Sequence, residues 1–175
     1  LLLLSMPATA QDTPGPVQTL LQTYADDIAK PSRRTIQPVL DELTSSGLST
    51  IPDFLEAWED KGIVQRDADG LFFLGKRDGD VYVLRSVDDG NDAGAVARRA
   101  ASVMKPNAGV RRLIGTALVQ FQLNDPDPAR RLSALDSLSR RPSADLLEPL
   151  RASIENEPDP AIRARKIAMM RCRMR

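Results

Sequence analysis

Pro126-Asp127-Pro128-Ala129-Arg130-Arg131 is answered 32 residues later by Pro158-Asp159-Pro160-Ala161-Ile162-Arg163. Each copy opens a helix: the aspartate supplies an N-cap oxygen, and proline suits the first helical position, where its missing N–H has no partner to lose. The first copy runs on through Leu132, Leu135 and Leu138, the second through Ala164, Ile167 and Met170 at the equivalent positions. The expected buried stripe therefore repeats along with the cap. A helix-pair period of this length belongs to repeat architectures, in which each unit buries its apolar face on its neighbour. The expected fold class is mainly α: HEAT-like helical hairpin repeats with a small β-hairpin insertion. Such a fold presents a docking or scaffolding surface rather than an active-site crevice.

The structural residues of this reading are Asp127, Pro128 and Arg131 in the first copy and Asp159, Pro160 and Arg163 in the second. Arg131 and Arg163 hold the same place in successive units, where they bridge stacked helices or the carbonyl ends of helices. Upstream, Val110, Leu113, Ile114, Ala117, Leu118 and Phe121 mark a helix starting near Asn107. Asn107 is read as its cap, and Arg111, four residues on, as covering a neighbouring unit or pairing with an acid; a binding role for the two is the alternative. Between the copies, Ser143 caps a helix lined by Leu146, Leu147, Leu150 and Ile154. Pro149 requires either a kink there or a short turn over 144–148 with the true helix starting near Glu148.

Nearer the N-terminus, Val17, Leu20, Leu21, Tyr24 and Ile28 form one helical face, limited by Pro31. Ile36, Val39, Leu40 and Leu43 form a second helix, stopped by Gly47. Ile51-Pro52 starts a third, with Phe54, Leu55 and Trp58 inward and Trp58 as a core anchor; ligand stacking is its alternative. Leu71–Leu74 and Val81–Leu84 are strand-like and joined at Asp78-Gly79, a hairpin turn signal. The expected division is 1–10 signal-peptide remnant, 11–16 linker, 17–95 helical segment with a β-hairpin at about 71–85, 96–168 helical repeat region, and 169–175 aberrant tail.

Composition narrows the chemistry. With no histidine, the commonest general base, the usual triads and most zinc sites are absent. Cys172 is the single cysteine, so there is no intrachain disulfide. No phosphate-binding glycine motif occurs, and the aspartates around Asp69-Gly70 and Asp88-Asp89-Gly90 lack the spacing of a calcium loop. Asp26/Asp27 and Asp88/Asp89 are carboxylate pairs with nothing convergent around them, and are read as solvated. The expectation is a non-enzyme with no catalytic, cofactor or metal site, and no nucleic-acid partner. Net charge is zero, but residues 1–95 carry 8 basic against 16 acidic side chains and residues 96–175 carry 16 against 8. Either the basic half faces an anionic partner or lipid headgroups, or the charges are solvated and the halves attract each other.

Leu1-Leu2-Leu3-Leu4-Ser5-Met6-Pro7-Ala8-Thr9-Ala10 reads as the back end of a secretory signal, with small residues at the −3 and −1 positions. An extracytoplasmic location is the expectation. No segment approaches the roughly 18 apolar residues that span a bilayer.

Several segments together resemble the N-terminal, extracytoplasmic region of the urea ABC transporter permease, the B-type membrane subunit related to branched-chain amino acid permeases. They are Phe54-Leu55-Glu56-Ala57-Trp58, Asp69-Gly70-Leu71-Phe72-Phe73-Leu74-Gly75, Lys105-Pro106-Asn107-Ala108-Gly109-Val110-Arg111, Ala117-Leu118-Val119-Gln120-Phe121-Gln122-Leu123 and Asp125-Pro126-Asp127-Pro128-Ala129-Arg130-Arg131, then the second Asp-Pro copy. They occur in the family's order and cover roughly residues 17–168. The resemblance implies a helical-repeat domain on the periplasmic face of the bacterial cytoplasmic membrane, joined to a multi-span permease that moves urea. It implies as partners a second permease subunit, cytoplasmic ATPase subunits and a periplasmic urea-binding protein, with the membrane reached through a C-terminal part missing here. Family members continue into transmembrane helices, whereas this sequence ends in a Met- and Arg-rich tail, the kind of ending a frameshift or premature stop produces. An unpaired final repeat is expected to expose an apolar face and promote self-association. A stand-alone exported helical-repeat adaptor is the alternative function.

Overall fold

The computed structural model describes residues 14–140 and 144–173. The signal remnant, linker residues 11–13, the Ser143 cap and Met174-Arg175 lie outside the described residues. The chain forms helices α1 (Pro16–Thr23), α2 (Ala25–Ala29), α3 (Ile36–Ser45) and α4 (Ile51–Glu59), then strands β1 (Ile63–Arg66), β2 (Phe72–Asp78), β3 (Val81–Ser86), β4 (Asp92–Ala97) and β5 (Ala101–Val103). Helices α5 (Ala108–Leu123), α6 (Pro128–Arg140), α7 (Leu147–Glu155) and α8 (Pro160–Arg173) complete it. The fold is mostly helical with one small antiparallel sheet. Among the described residues, no helix is long and apolar enough to cross a membrane.

Where apolar spacing is regular, the helices fall on it. Ile36, Val39, Leu40 and Leu43 are all buried, and Gly47 ends the turn after α3 with φ 70°. In α4, Pro52 sits in the first turn while Phe54, Leu55 and Trp58 are buried, the Phe54 and Trp58 rings 5.7 Å apart. The single helix expected from Val17 onwards is instead α1 and α2, broken at Tyr24. Gly15-Pro16 is no linker: Pro16 occupies the first turn of α1, as proline can. That helix has no side-chain cap of its own. Its N-terminus is capped from 71 residues away, Val17 N–H donating to Asp88 Oδ1 at 2.7 Å. Asp88 is thus a helix cap and not one of a solvated pair. A Cβ on Gly15 would come within 2.3 Å of the Asp88 carboxylate.

The expected hairpin is real, but it is two strands of five. The sheet order is β4-β3-β2-β1-β5, and every neighbouring pair is antiparallel. The turn residues are Gly79-Asp80, since Asp78 pairs with Val81; Gly79, at φ 56°, takes the first loop position, where a II′ turn needs positive φ. The division at 95/96 falls inside β4, and β5 returns to pair with β1. The chain crosses from one edge strand to the other through a 3-10 turn at Arg98–Ala100. Ala97 to Ala101 can span at most about 15 Å at 3.8 Å per Cα step. Four flat inter-strand steps would need about 19 Å. The sheet therefore curls, wrapping Val64, Phe73 and Leu84 into a small core of its own. Gly75 permits the curl: a Cβ there would stand 2.2 Å from Val64 Cγ2.

The other sheet face, with Ile63 and Phe72, joins the main core of α1–α5. Buried Gln18 clasps the backbone of Phe72, its amide donating to the carbonyl at 2.7 Å and its carbonyl accepting the N–H at 3.0 Å. Helix α5 is the hub, packing against α3, α4, α6 and α7, while α8 packs on α6 and α7. A second core of Leu123, Ala134, Leu135, Leu138, Leu150, Ile162 and Met170 fills the space among α5–α8. Ahead of α7, Ala144–Leu146 forms a 3-10 turn, so Pro149 lies in the first turn of the true helix and no kink is needed.

Candidate functional site

The two Asp-Pro phrases open α6 and α8 by the same chemistry. Asp127 Oδ1 accepts the Ala129 N–H at 2.9 Å, and Asp159 Oδ1 accepts Ala161 at 2.8 Å and Ile162 at 3.2 Å. Pro128 and Pro160 are the first residues of their helices. The repeated unit is one residue longer than the quoted phrase. Asp125 Oδ1 accepts the Asp127 N–H at 2.8 Å, and Glu157 Oε1, at the equivalent place, accepts the Asp159 N–H at 3.1 Å. The arginines also match: Arg131 donates to the carbonyls of Asp125 and Pro126 at 2.7 and 3.0 Å, Arg163 to that of Glu157 at 2.5 Å. Acid-Pro-Asp-Pro-Ala-x-Arg is therefore a self-contained corner, with acid, cap and arginine each satisfying loop backbone.

Between the corners lies a buried ionic cluster. Glu157 takes Arg131 on both oxygens, Nη2 at 3.0 Å and Nε at 3.1 Å, and takes Lys166 Nζ at 2.7 Å. Lys166 also donates to the carbonyls of Leu123 and Ser153, at 2.9 and 3.0 Å. Those carbonyls lie in the last turns of α5 and α7, where the helix dipole favours a cation. Arg131, Glu157 and Lys166 are 6, 1 and 0 % exposed. Burial pushes the Glu157 carboxyl up, but the hydrogen bonds from Lys166, the Asp159 amide and Arg131 outweigh it and hold it below the ordinary glutamate value. Three contacts accepted by the carboxylate and two bonds donated by the ammonium to carbonyls tie α5, α6, α7 and α8 at a single point.

No family model, curated protein or solved structure matches the chain.

The buried stripe of α8 differs from the expected one. Ala164 is exposed and Ile167 half-buried; the inward residues of α8 are Ile162, Lys166 and Met170. Lys166 takes the place held in α6 by Ala134, and its three oxygen partners draw that face of the helix inward. Nor does the last pair leave an apolar face open. Among the described residues, the exposed large hydrophobic side chains are Val81 and Val83, both on β3, and α8 turns Ala161, Arg163, Ala164, Arg165, Ala168 and Arg171 outward.

The remaining singled-out residues stand apart from this cluster. Asn107 Oδ1 accepts the Val110 N–H at 3.0 Å and so caps α5; its amide donates to Pro31 O at 3.4 Å. Arg111 is exposed and makes no ion pair among the described residues. Trp58 is fully buried, its indole N–H without a hydrogen-bond partner among the described residues. Among the described residues, no group of His, Cys, Asp or Glu is placed to hold a metal ion. Sequence reading missed Glu157 and Lys166. The first was legible as an acid two residues before the capping aspartate in both copies; the second was not, since its partners come from Glu157 and the ends of two other helices.

Proposed function

We propose that the chain is a non-catalytic extracytoplasmic domain of a urea ABC transporter permease, a HEAT-like helical-repeat unit on the periplasmic face of the bacterial cytoplasmic membrane. The observation that carries this reading is where the family-like segments lie. Phe54, Leu55 and Trp58 are core, Gly75 sits against Val64, Asn107 caps α5, and Asp125–Arg131 builds the corner from which α6 reaches Glu157. A resemblance carried by residues that set the fold's joints supports a shared domain more strongly than one scattered over solvent-facing positions.

The HEAT-like reading is supported by the pairing of helices. α5 packs on α6 and α7 on α8, while α5 also touches α7 and α6 touches α8, which is how stacked helix pairs meet in a solenoid. The domain performs no reaction of its own; the permease partner subunit, the ATPases and the urea-binding protein supply transport. The test is urea uptake by cells in which the region matching 17–168 is deleted in frame from the permease gene. The expected result is impaired uptake or loss of the assembled transporter; normal uptake would remove a transport role.

The exported adaptor is the second reading, favoured by charge left open to partners. Among ion pairs within the described residues, only Arg98–Asp80 crosses the division at 95/96, and at 4.0 Å. Co-purification separates the two: the first expects the permease subunits, the second an unrelated periplasmic protein.

A further inference from the structure

Between Thr35 and Asp60 the chain carries six acids (Asp41, Glu42, Asp53, Glu56, Glu59 and Asp60) and no lysine or arginine. These residues form α3, α4 and their connection, so one helical hairpin presents charge of a single sign. Among the described residues neither Asp53 nor Glu56 makes an ion pair, and both are exposed.

The same two acids line a groove. Helices α6 and α8 lie side by side and share an apolar core. α4 and α6 both pack on α5, but an open cavity of about 760 Å³ separates them. Leu118 and Phe121 of α5 line its floor, Asp53 and Glu56 the α4 wall, Ser133 and Ser137 the α6 wall. Arg130, the basic residue at its rim, lies 3.6 Å from Asp125. The volume is that of a ligand-sized cleft, with apolar contact below and uncompensated negative charge along one side.

We propose that this groove docks a short basic segment of a partner protein, with a large apolar side chain on Leu118 and Phe121 and lysine or arginine against Asp53 and Glu56. The charge complementarity names the partner's chemistry: an acidic segment would meet like charge, and a purely apolar one would leave the α4 wall unpaired. The inference stands whether or not the domain belongs to a urea permease, because it concerns only what the groove accepts.

Trp58 of α4 is fully buried in the main core and does not line the groove, so binding is read from the fluorescence anisotropy of a dye-labelled peptide. The probe is a capped peptide of alternating lysine and leucine, with a glutamate–leucine peptide as its counterpart. The proposal expects a saturable anisotropy change with the lysine peptide, weaker at high salt, and none with the glutamate peptide. Asp53→Lys with Glu56→Lys lowers the affinity by roughly tenfold or more while the chain keeps a cooperative melt, both sites being exposed. Asp26→Lys with Asp27→Lys, on α2, leaves binding unchanged. Equal loss from both reversals, or equal binding of both peptides, would overturn the proposal. Sedimentation of the peptide-free chain covers the other occupant: a salt-sensitive dimer that disappears in the Asp53/Glu56 reversal would give the groove to a second copy and overturn it also.

Discussion

Lys166 Nζ stands 2.7 Å from Glu157 Oε2 with both side chains out of water. The lysine comes from the middle of α8 and the glutamate from the corner that opens it, so one helix grips its own entry. Arg131 reaches the same carboxylate from α6, and the Leu123 and Ser153 carbonyls complete the lysine's shell. Desolvating three charged groups is costly, and it is offset here because every formal charge faces an opposite charge or a carbonyl. The cluster is better understood as fixing how the helix pairs meet than as a net source of stability.

The two caps are expected to behave alike because they are built alike. Asp127→Ala and Asp159→Ala should each destabilise the protein by about 1 kcal/mol, with asparagine restoring most of the loss. Urea denaturation of the four variants checks this. A loss confined to one copy would mean that the corners are not equivalent.

Acid sensitivity follows from the lowered Glu157 carboxyl. A group whose folded value lies below its unfolded one contributes stability that is full above the unfolded value, ordinarily 4.5, and is lost as pH falls through the folded value. Stability should therefore begin to fall as the pH drops through that ordinary glutamate value. In Glu157→Gln that share of the acid loss should be missing, though the variant is weaker throughout. Denaturation curves at pH 6, 4 and 3 compare the two slopes. Equal slopes would mean that other carboxylates carry the acid response.

Gly75→Ala tests the curl of the sheet. The added Cβ meets Val64 at 2.2 Å, and overpacking of this kind costs about 1–3 kcal/mol. Val64→Ala in the same chain makes room, so the double variant should lose less than the sum of the single changes. Additive losses in chemical denaturation would place the strain elsewhere.

How legible all this was depended on how local the determining physics is. Caps, apolar spacing and stop signals act within a few residues, which is why α3, α4, α5 and the openings of α6 and α8 could be read directly. β4 and β5 could not: in Asp92–Ala97 and Ala101–Val103 the two valines are outnumbered by alanine, glycine, aspartate and serine, so strand preference is weak, and they become strands because β3 and β1 pair with them. The break at Tyr24 and the Asp88 cap arise from contacts across the fold. In the ionic cluster Arg131 was legible because it repeats. Lys166 was not, since an apolar stripe leaves no place for a lysine until Glu157 and two helix ends are brought to it.

The most direct test of this joint is a double-mutant cycle between Glu157 and Lys166. Removing either partner leaves a buried charge short of its counterpart, so Glu157→Gln and Lys166→Met should each cost about 3–5 kcal/mol. The pair together should cost well below their sum, with a coupling energy at the upper end of the roughly 0.5–3 kcal/mol found for contacting residues. Coupling of this size in urea denaturation would place the two side chains on one lock between the helix pairs. Strictly additive losses, or single variants as stable as the parent, would contradict it.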